Sequence, residues 1–168
     1  HRHGLVAHFL AYEDNKVVGR IAAIRNDAHN DYYQDKVGFF GLFECIDDQK
    51  VANALLDHAA SWVKNQGLHV LRGPMNYSYT ETQALLIDGF DSTSAALLTY
   101  NPPYYQKLLE NYGLQKQIDL YAYECSLNNI PHEKLDVLLA RTKNQGVHLR
   151  QFNPRIKRED SQRLFDIV

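Results

Sequence analysis

The stretch from Val37 to Arg72 limits the possible folds more than any other part of the chain. It opens with "VGFFGLFEC", a nearly continuous apolar run, as in a strand buried on both faces. A polar turn, "IDDQK", leads into a helical stripe of Val51, Leu55, Ala59 and Trp62 beside Ala52, Leu56 and Val63. Asp47 or Asp48 suits the N-cap of that helix, and Gly67 suits its end, where left-handed φ is cheap only for glycine. "LHVLRG" then returns as a short strand. Strand, helix and strand within about 35 residues make a βαβ unit, which implies parallel pairing and a right-handed crossover. The fold class is therefore α/β, with a central sheet flanked by helices.

Upstream, Val6 to Glu13 and Val17 to Arg25 are β-rich runs, and Asp14-Asn15 between them favours a tight hairpin. "NDAHNDYYQDK" is polar and reads as a loop. Downstream the signal weakens from Pro74 to Tyr100, where "QALLIDGF" fits either a strand or a short helix. "NPPYYQKLLENYG" starts a helix at its prolines and stops it at Gly113. "LQKQIDLYAYECSL" alternates as a strand with both faces covered, and "IPHEKLDVLLARTKNQG" is a further helix carrying Leu135, Leu138 and Leu139 on one face. The last residues, 147–168, read as a strand, a turn and a helix starting near Glu159 or Asp160.

Composition narrows the function classes. The 168 residues carry a formal charge of −2, so no broad basic surface favours nucleic acid, and no polybasic patch favours a membrane. No apolar run approaches the ~20 residues of a membrane span, and the first residues lack a secretory pattern. Cys45 and Cys125 both fall in strand-like segments and are expected as buried, reduced thiols, which suits the cytoplasm. Eleven tyrosines, several in adjacent pairs, fit either a cleft lining or core packing. The eight histidines build no metal site by their spacing, and no Ser-His-Asp pattern is present.

The order hairpin, βαβ, helix, strand resembles the GNAT superfamily of acyl-CoA-dependent N-acyltransferases. "FGLFECIDDQKVANALLDHAASWVKNQG" stands where that superfamily has its fourth strand and acyl-CoA-binding helix. "YYQKLLENYGLQKQIDLYAYEC" stands where it has its later helix and following strand, with Gly113-Leu114 in the place of a terminal "GF". More narrowly, "GRIAAI", "GFFGLFE", "RGPMN", "DGFD" and "YNPPYYQKLLENYG" resemble a bacterial GNAT-related family. The resemblance covers about two thirds of the chain. It implies a mixed central sheet, acetyl-CoA or another acyl-CoA as cosubstrate, no metal, and a small amine as acceptor.

The resemblance also implies site residues. The pyrophosphate motif R/Q-x-x-G-x-G/A falls on Asp47, Lys50 and Ala52, and only Ala52 matches. The ligand would meet the first-turn N–H groups of Gln49, Lys50, Val51 and Ala52, where the helix dipole favours negative charge. A capping carboxylate takes such N–H groups for itself. It also adds like charge, at a cost on the order of 4 kcal/mol for a contact at about 4 Å and a dielectric near 20, less in solvent. The turn is therefore either an unconventional acyl-CoA grip or simply a capped helix. Glu44, at the end of the central strand, is the candidate general base. The superfamily's tyrosine acid corresponds to Leu109 here, with Tyr105 one helical turn earlier as the possible substitute. Arg72 and Asn76 in "RGPMNYSY" lie at a strand end suited to ligands, Arg72 for an anionic group and Asn76 for an amide. Each has a plainer role as well: Glu44 as a surface ion pair, Tyr105 in packing, Asn76 in a turn.

Residues 1–128 are read as a GNAT-like domain without its usual opening strand and helix, and 129–146 as a connecting helix. Residues 147–168 resemble the start of a second such lobe, or supply the missing strand by permutation or exchange in a homodimer. Two functions remain open: an acyl-CoA-dependent N-acyltransferase, or a non-catalytic binding or assembly domain that has lost the pyrophosphate turn.

Overall fold

The computed structural model describes residues 4–77, 81–94, 96–126, 128, 131–147 and 157–165, which divide into two units, 1–120 and 121–168. In the first unit, β1 (Gly4–Glu13) and β2 (Lys16–Asn26) pair antiparallel. Asp14 and Asn15 between them both take positive φ (47° and 65°), as the mirror-image hairpin turns demand. β3 (Val37–Cys45) lies antiparallel to β2, and β4 (Val70–Arg72) joins β3 in parallel. The result is a mixed four-stranded sheet in the order β1-β2-β3-β4, the mixed central sheet that the resemblance implies.

The crossover from β3 to β4 is α2 (Gln49–Asn65). Its buried residues, Ala52, Leu55, Leu56, Ala59 and Val63, are the stripe read from the sequence, with Val51 and Trp62 at the margin of the same cluster. They meet Ile21, Ala23, Phe40 and Phe43 on one face of the sheet. The opposite face carries a smaller cluster of Ala22, Ile24, Val37 and Phe39. Gly67, at φ +77°, terminates α2 as expected.

The segment expected as a polar loop contains a helix, α1 (Asp27–Tyr33). Asn26 caps it by accepting from the His29 N–H, and Gln34 ends it in the left-handed region. Asn30 fastens it to β3 through two hydrogen bonds with the Val37 backbone, and His29 stands edge-on to Phe39 at 4.9 Å. No residue of α1 is buried, so the sequence has no apolar stripe to reveal it.

"QALLIDGF" is neither strand nor helix apart from one bridge, Met75 to Gln83; Asn101 pins it through hydrogen bonds to Leu86. α3 (Tyr104–Tyr112) begins after the prolines and ends at Gly113, φ +104°. The strand expected over "LQKQIDLYAYECSL" is absent among the described residues. Residues 115–126 are exposed and join no sheet among the described residues. Alternation supplies two faces, but a strand also needs a partner edge for its backbone. Cys125 is consequently exposed, contrary to expectation, while Cys45 is buried; both thiols are free.

The second unit contains α4 (His132–Asn144) and α5 (Lys157–Phe165). None of the α4 residues is buried, including Leu135, Leu138 and Leu139. α5 starts two residues before the expected Glu159. The strand expected just before it falls on 148–156, outside the described residues. No helix among the described residues is long and apolar enough to cross a membrane.

Two expectations follow from this packing. Leu56 is fully enclosed, so Leu56→Ala should lower stability in urea by about 2–5 kcal/mol. Burial, followed by the charges of Asp48 and Asp47, pushes the Cys45 thiol up to about 11, so it stays protonated well above neutrality. At pH 8, maleimide should label Cys125 alone, with a second label appearing only in denaturant, as counted by mass spectrometry.

Candidate active site at the end of strand β3

β4 accompanies β3 for only three residues, Val37 to Phe39, and then departs. Beyond that point β3 contains a bulge. Ala22 lies opposite Gly41, but Arg20 lies opposite Glu44, so two steps on β2 face three on β3. Leu42 absorbs the extra residue with φ +48°. Before the bulge, Gly38 and Phe40 point toward α2; after it, Phe43 and Cys45 do. The change of parity delivers Glu44 to the opposite face, beside Arg20.

Glu44 is exposed at its tip but anchored at one oxygen. Its Oε2 accepts a 2.7 Å hydrogen bond from the Tyr105 hydroxyl, and its Oε1 lies 3.7 Å from the Arg20 guanidinium. Tyr105 is buried in the core, edge-on to Phe43. Its hydroxyl also accepts from the Cys45 N–H at 3.0 Å, and the neighbouring Tyr104 hydroxyl donates to the Cys45 carbonyl at 2.9 Å. Two tyrosines from α3 thus complete the end of β3, where a strand partner would otherwise stand. Burial and then the Glu44 hydrogen bond hold the Tyr105 proton on far above the usual tyrosine range. Burial, with nearby acidic groups, raises Tyr104 as well. Leu109, in the place of the superfamily's tyrosine acid, is buried.

The N-terminus of α2 follows four residues after Glu44. Asp48 is its N-cap and accepts the Lys50 N–H at 2.7 Å. The N–H groups of Gln49 and Val51 have no acceptor among the described residues, as expected in a first turn. Ala52 already donates to the Asp48 carbonyl and is buried. The Gln49 side chain bridges to α3, donating to the Leu108 carbonyl and accepting from Asn111. Lys50 is exposed. What this turn offers an anion is therefore two backbone donors and one lysine, with the Asp48 carboxylate among them.

The expected binding residues separate. Asn76 lies at the bulge, its side chain accepting from the Leu42 N–H at 3.0 Å and donating to the Thr82 hydroxyl. Arg72 is half-buried, and its side chain makes no hydrogen bond or ion pair with the described residues. It pairs in register with Phe39, five residues before Glu44, which is roughly 15 Å along the strand. The structure therefore joins Glu44, Tyr105 and the α2 turn, and leaves Arg72 apart. Sequence reasoning missed Arg20 and Tyr104. The cross-strand position of Arg20 could have been found only by counting a bulge that no residue type announces.

No family model matches the chain. It is 30% identical over 167 residues to the bacterial ceramide synthase of Caulobacter vibrioides (strain NA1000 / CB15N), covering 99% of this chain and 44% of that protein. It is 35% identical over 115 residues to Protein YghO of Escherichia coli (strain K12), covering 68% of this chain and 30% of that protein. The chain thus spans less than half the length of the curated relatives it matches. A crystal structure of a probable acetyltransferase overlays 75% of this chain and 69% of its own with a TM-score of 0.39 and 14% identity, too distant to carry an argument. The chain is an α/β protein homologous to the bacterial ceramide synthase and to YghO.

Proposed function

We propose that the chain carries the catalytic end of an N-acyltransferase that moves an acyl group from an acyl-CoA to an amine. The observation that carries this reading is the Glu44 carboxylate, half open to solvent and tied at one oxygen to a buried tyrosine. Its Oε1, solvent-exposed and only loosely paired with Arg20 at 3.7 Å, suits a general base. The homology to a ceramide synthase supports the same reaction type, since a ceramide is the amide of a fatty acid and a long-chain amino alcohol. An acceptor of that amino-alcohol class is the natural extension. Two unpaired cysteines fit a reducing, cytosolic setting.

The acyl-CoA supplies an activated thioester carbonyl. As the amine nitrogen bonds to that carbon and the carbon–sulfur bond breaks, Glu44 takes the nitrogen's proton at Oε1, the oxygen not held by Tyr105. The sulfur leaves as a thiolate and is protonated by water. Tyr105 is poorly suited to the acid's task, because its proton is held too tightly for transfer to a thiolate. Its part is to hold Glu44. Lys50 and the N–H groups of Gln49 and Val51 would meet the donor's pyrophosphate, with Val51 and Ala52 shaping the start of the helix. Arg72 would serve an anionic group of a substrate away from the reacting atoms.

The Asp48 cap favours a second reading, a binding or assembly domain without catalysis, because it holds one first-turn donor and opposes a phosphate. Titration calorimetry with acetyl-CoA and longer acyl-CoAs, together with thiol release in the presence of amino alcohols, separates the two. Binding and release are expected; no heat with any donor would remove the acyltransferase reading. Glu44→Gln should lower kcat by about 10²–10³ while leaving donor affinity unchanged. Asp48→Asn keeps a cap but drops the charge, and should tighten acyl-CoA binding by roughly 3–10-fold at low salt. Unchanged affinity would mean that the carboxylate does not oppose the donor.

A further inference from the structure

We propose that Asn76 is a positioning residue for Glu44, acting at a distance through the bulge at Leu42. The proposal rests on the reading of Glu44 as the base. Without the extra residue, β3 would keep its two-residue alternation, and Glu44 would fall on the same face as Gly38 and Phe40, against α2. The bulge is what turns it to the Arg20 face. A leucine in the left-handed region is not self-sustaining, and its N–H faces the edge of β3 that β4 no longer accompanies. Asn76 Oδ1 receives that N–H at 3.0 Å.

Asn76 is itself fixed from behind. Its side-chain amide donates to the Thr82 hydroxyl, and its backbone N–H donates to the Thr82 carbonyl at 3.3 Å. The preceding Met75 N–H donates to the Phe40 carbonyl at 2.8 Å, and Met75 bridges to Gln83. Gly41 leaves room for this approach: a Cβ there would press on the Met75 carbonyl oxygen and lie 2.7 Å from Asn76 Oδ1. The segment thus braces the bulge at a point two residues before the carboxylate. Asn76 touches no reacting atom in this arrangement, so its effect on turnover passes through where Glu44 stands.

Two readouts on the 168-residue chain test this: amide hydrogen exchange at Leu42 by NMR, and kcat against KM for acyl-CoA-dependent thiol release with an amino alcohol. Asn76→Ala should speed Leu42 exchange by about 10-fold or more, with the α2 amides unchanged. It should lower kcat by about 10–100-fold at unchanged donor affinity. Asn76→Asp can still accept from Leu42, with Thr82 rotating to donate, and should return both readouts to within about 3-fold of the parent. Unchanged Leu42 exchange in Asn76→Ala overturns the proposal, as does a raised amine KM at constant kcat, which would mark Asn76 as a substrate contact. Failure of Asn76→Asp to restore kcat also overturns it. If Asn76→Ala does not fold, Thr82→Val unpins the amide and is read the same way, with unchanged exchange overturning the proposal. If the parent chain releases no thiol with any donor, the acyltransferase reading falls, while Leu42 exchange and the Glu44 carboxyl resonance still decide whether Asn76 holds the bulge.

Discussion

A backbone N–H or C=O buried without a partner is costly, and β3 runs six residues beyond the last one that β4 accompanies. Much of the site can be understood from how those remaining groups are satisfied. The Phe40 carbonyl takes the Met75 N–H, the Leu42 N–H goes to Asn76, and the two polar groups of Cys45 go to Tyr105 and Tyr104. The partners come from two places along the chain, Met75-Asn76 after β4 and Tyr104-Tyr105 at the start of α3. Together they hold the strand end open to side chains where a sheet would have closed it. Glu44 sits among them with Oε2 held by Tyr105 and Oε1 paired loosely with Arg20 at 3.7 Å.

The turn that follows has a second, local obligation. A helix start must place its first N–H groups, and Asp48 takes one of them. The same residue that stabilises α2 therefore competes with any anion arriving there. Gln49 is drawn the other way, its side chain joining α2 to α3. Because α3 also carries Tyr104 and Tyr105, the start of α2 and the end of β3 are braced by one helix.

The parts of the fold written as long periodic patterns were legible in the sequence. β3, α2 and the β1–β2 hairpin each bury a face or demand a turn residue, and each appears where those signals put it. α1 was not legible, because it is held by Asn26 and Asn30 rather than by an apolar stripe. Residues 115–126 show the opposite failure, with strand alternation but no sheet partner among the described residues. In the site, the position of Glu44 and the Asp48 cap could be read directly. The Tyr105 contact could not, since it depends on where α3 packs. The bulge could not either, since Gly41-Leu42 in an apolar run carries no signature of an extra residue.

The way Tyr105 grips Glu44 has a directional consequence. The hydroxyl occupies Oε2 from the core side, which leaves Oε1 the more accessible oxygen, and Oε1 looks toward Arg20 across the strand. Arg20 belongs to the sheet face away from α2, whereas the turn proposed to meet the donor belongs to the helix. In the proposed reaction the two substrates would therefore enter from different sides of the strand end, the acyl donor along α2 and the amine over the opposite face. The carboxylate between them would then act as a partition as well as a base, admitting each partner from its own half of the molecule.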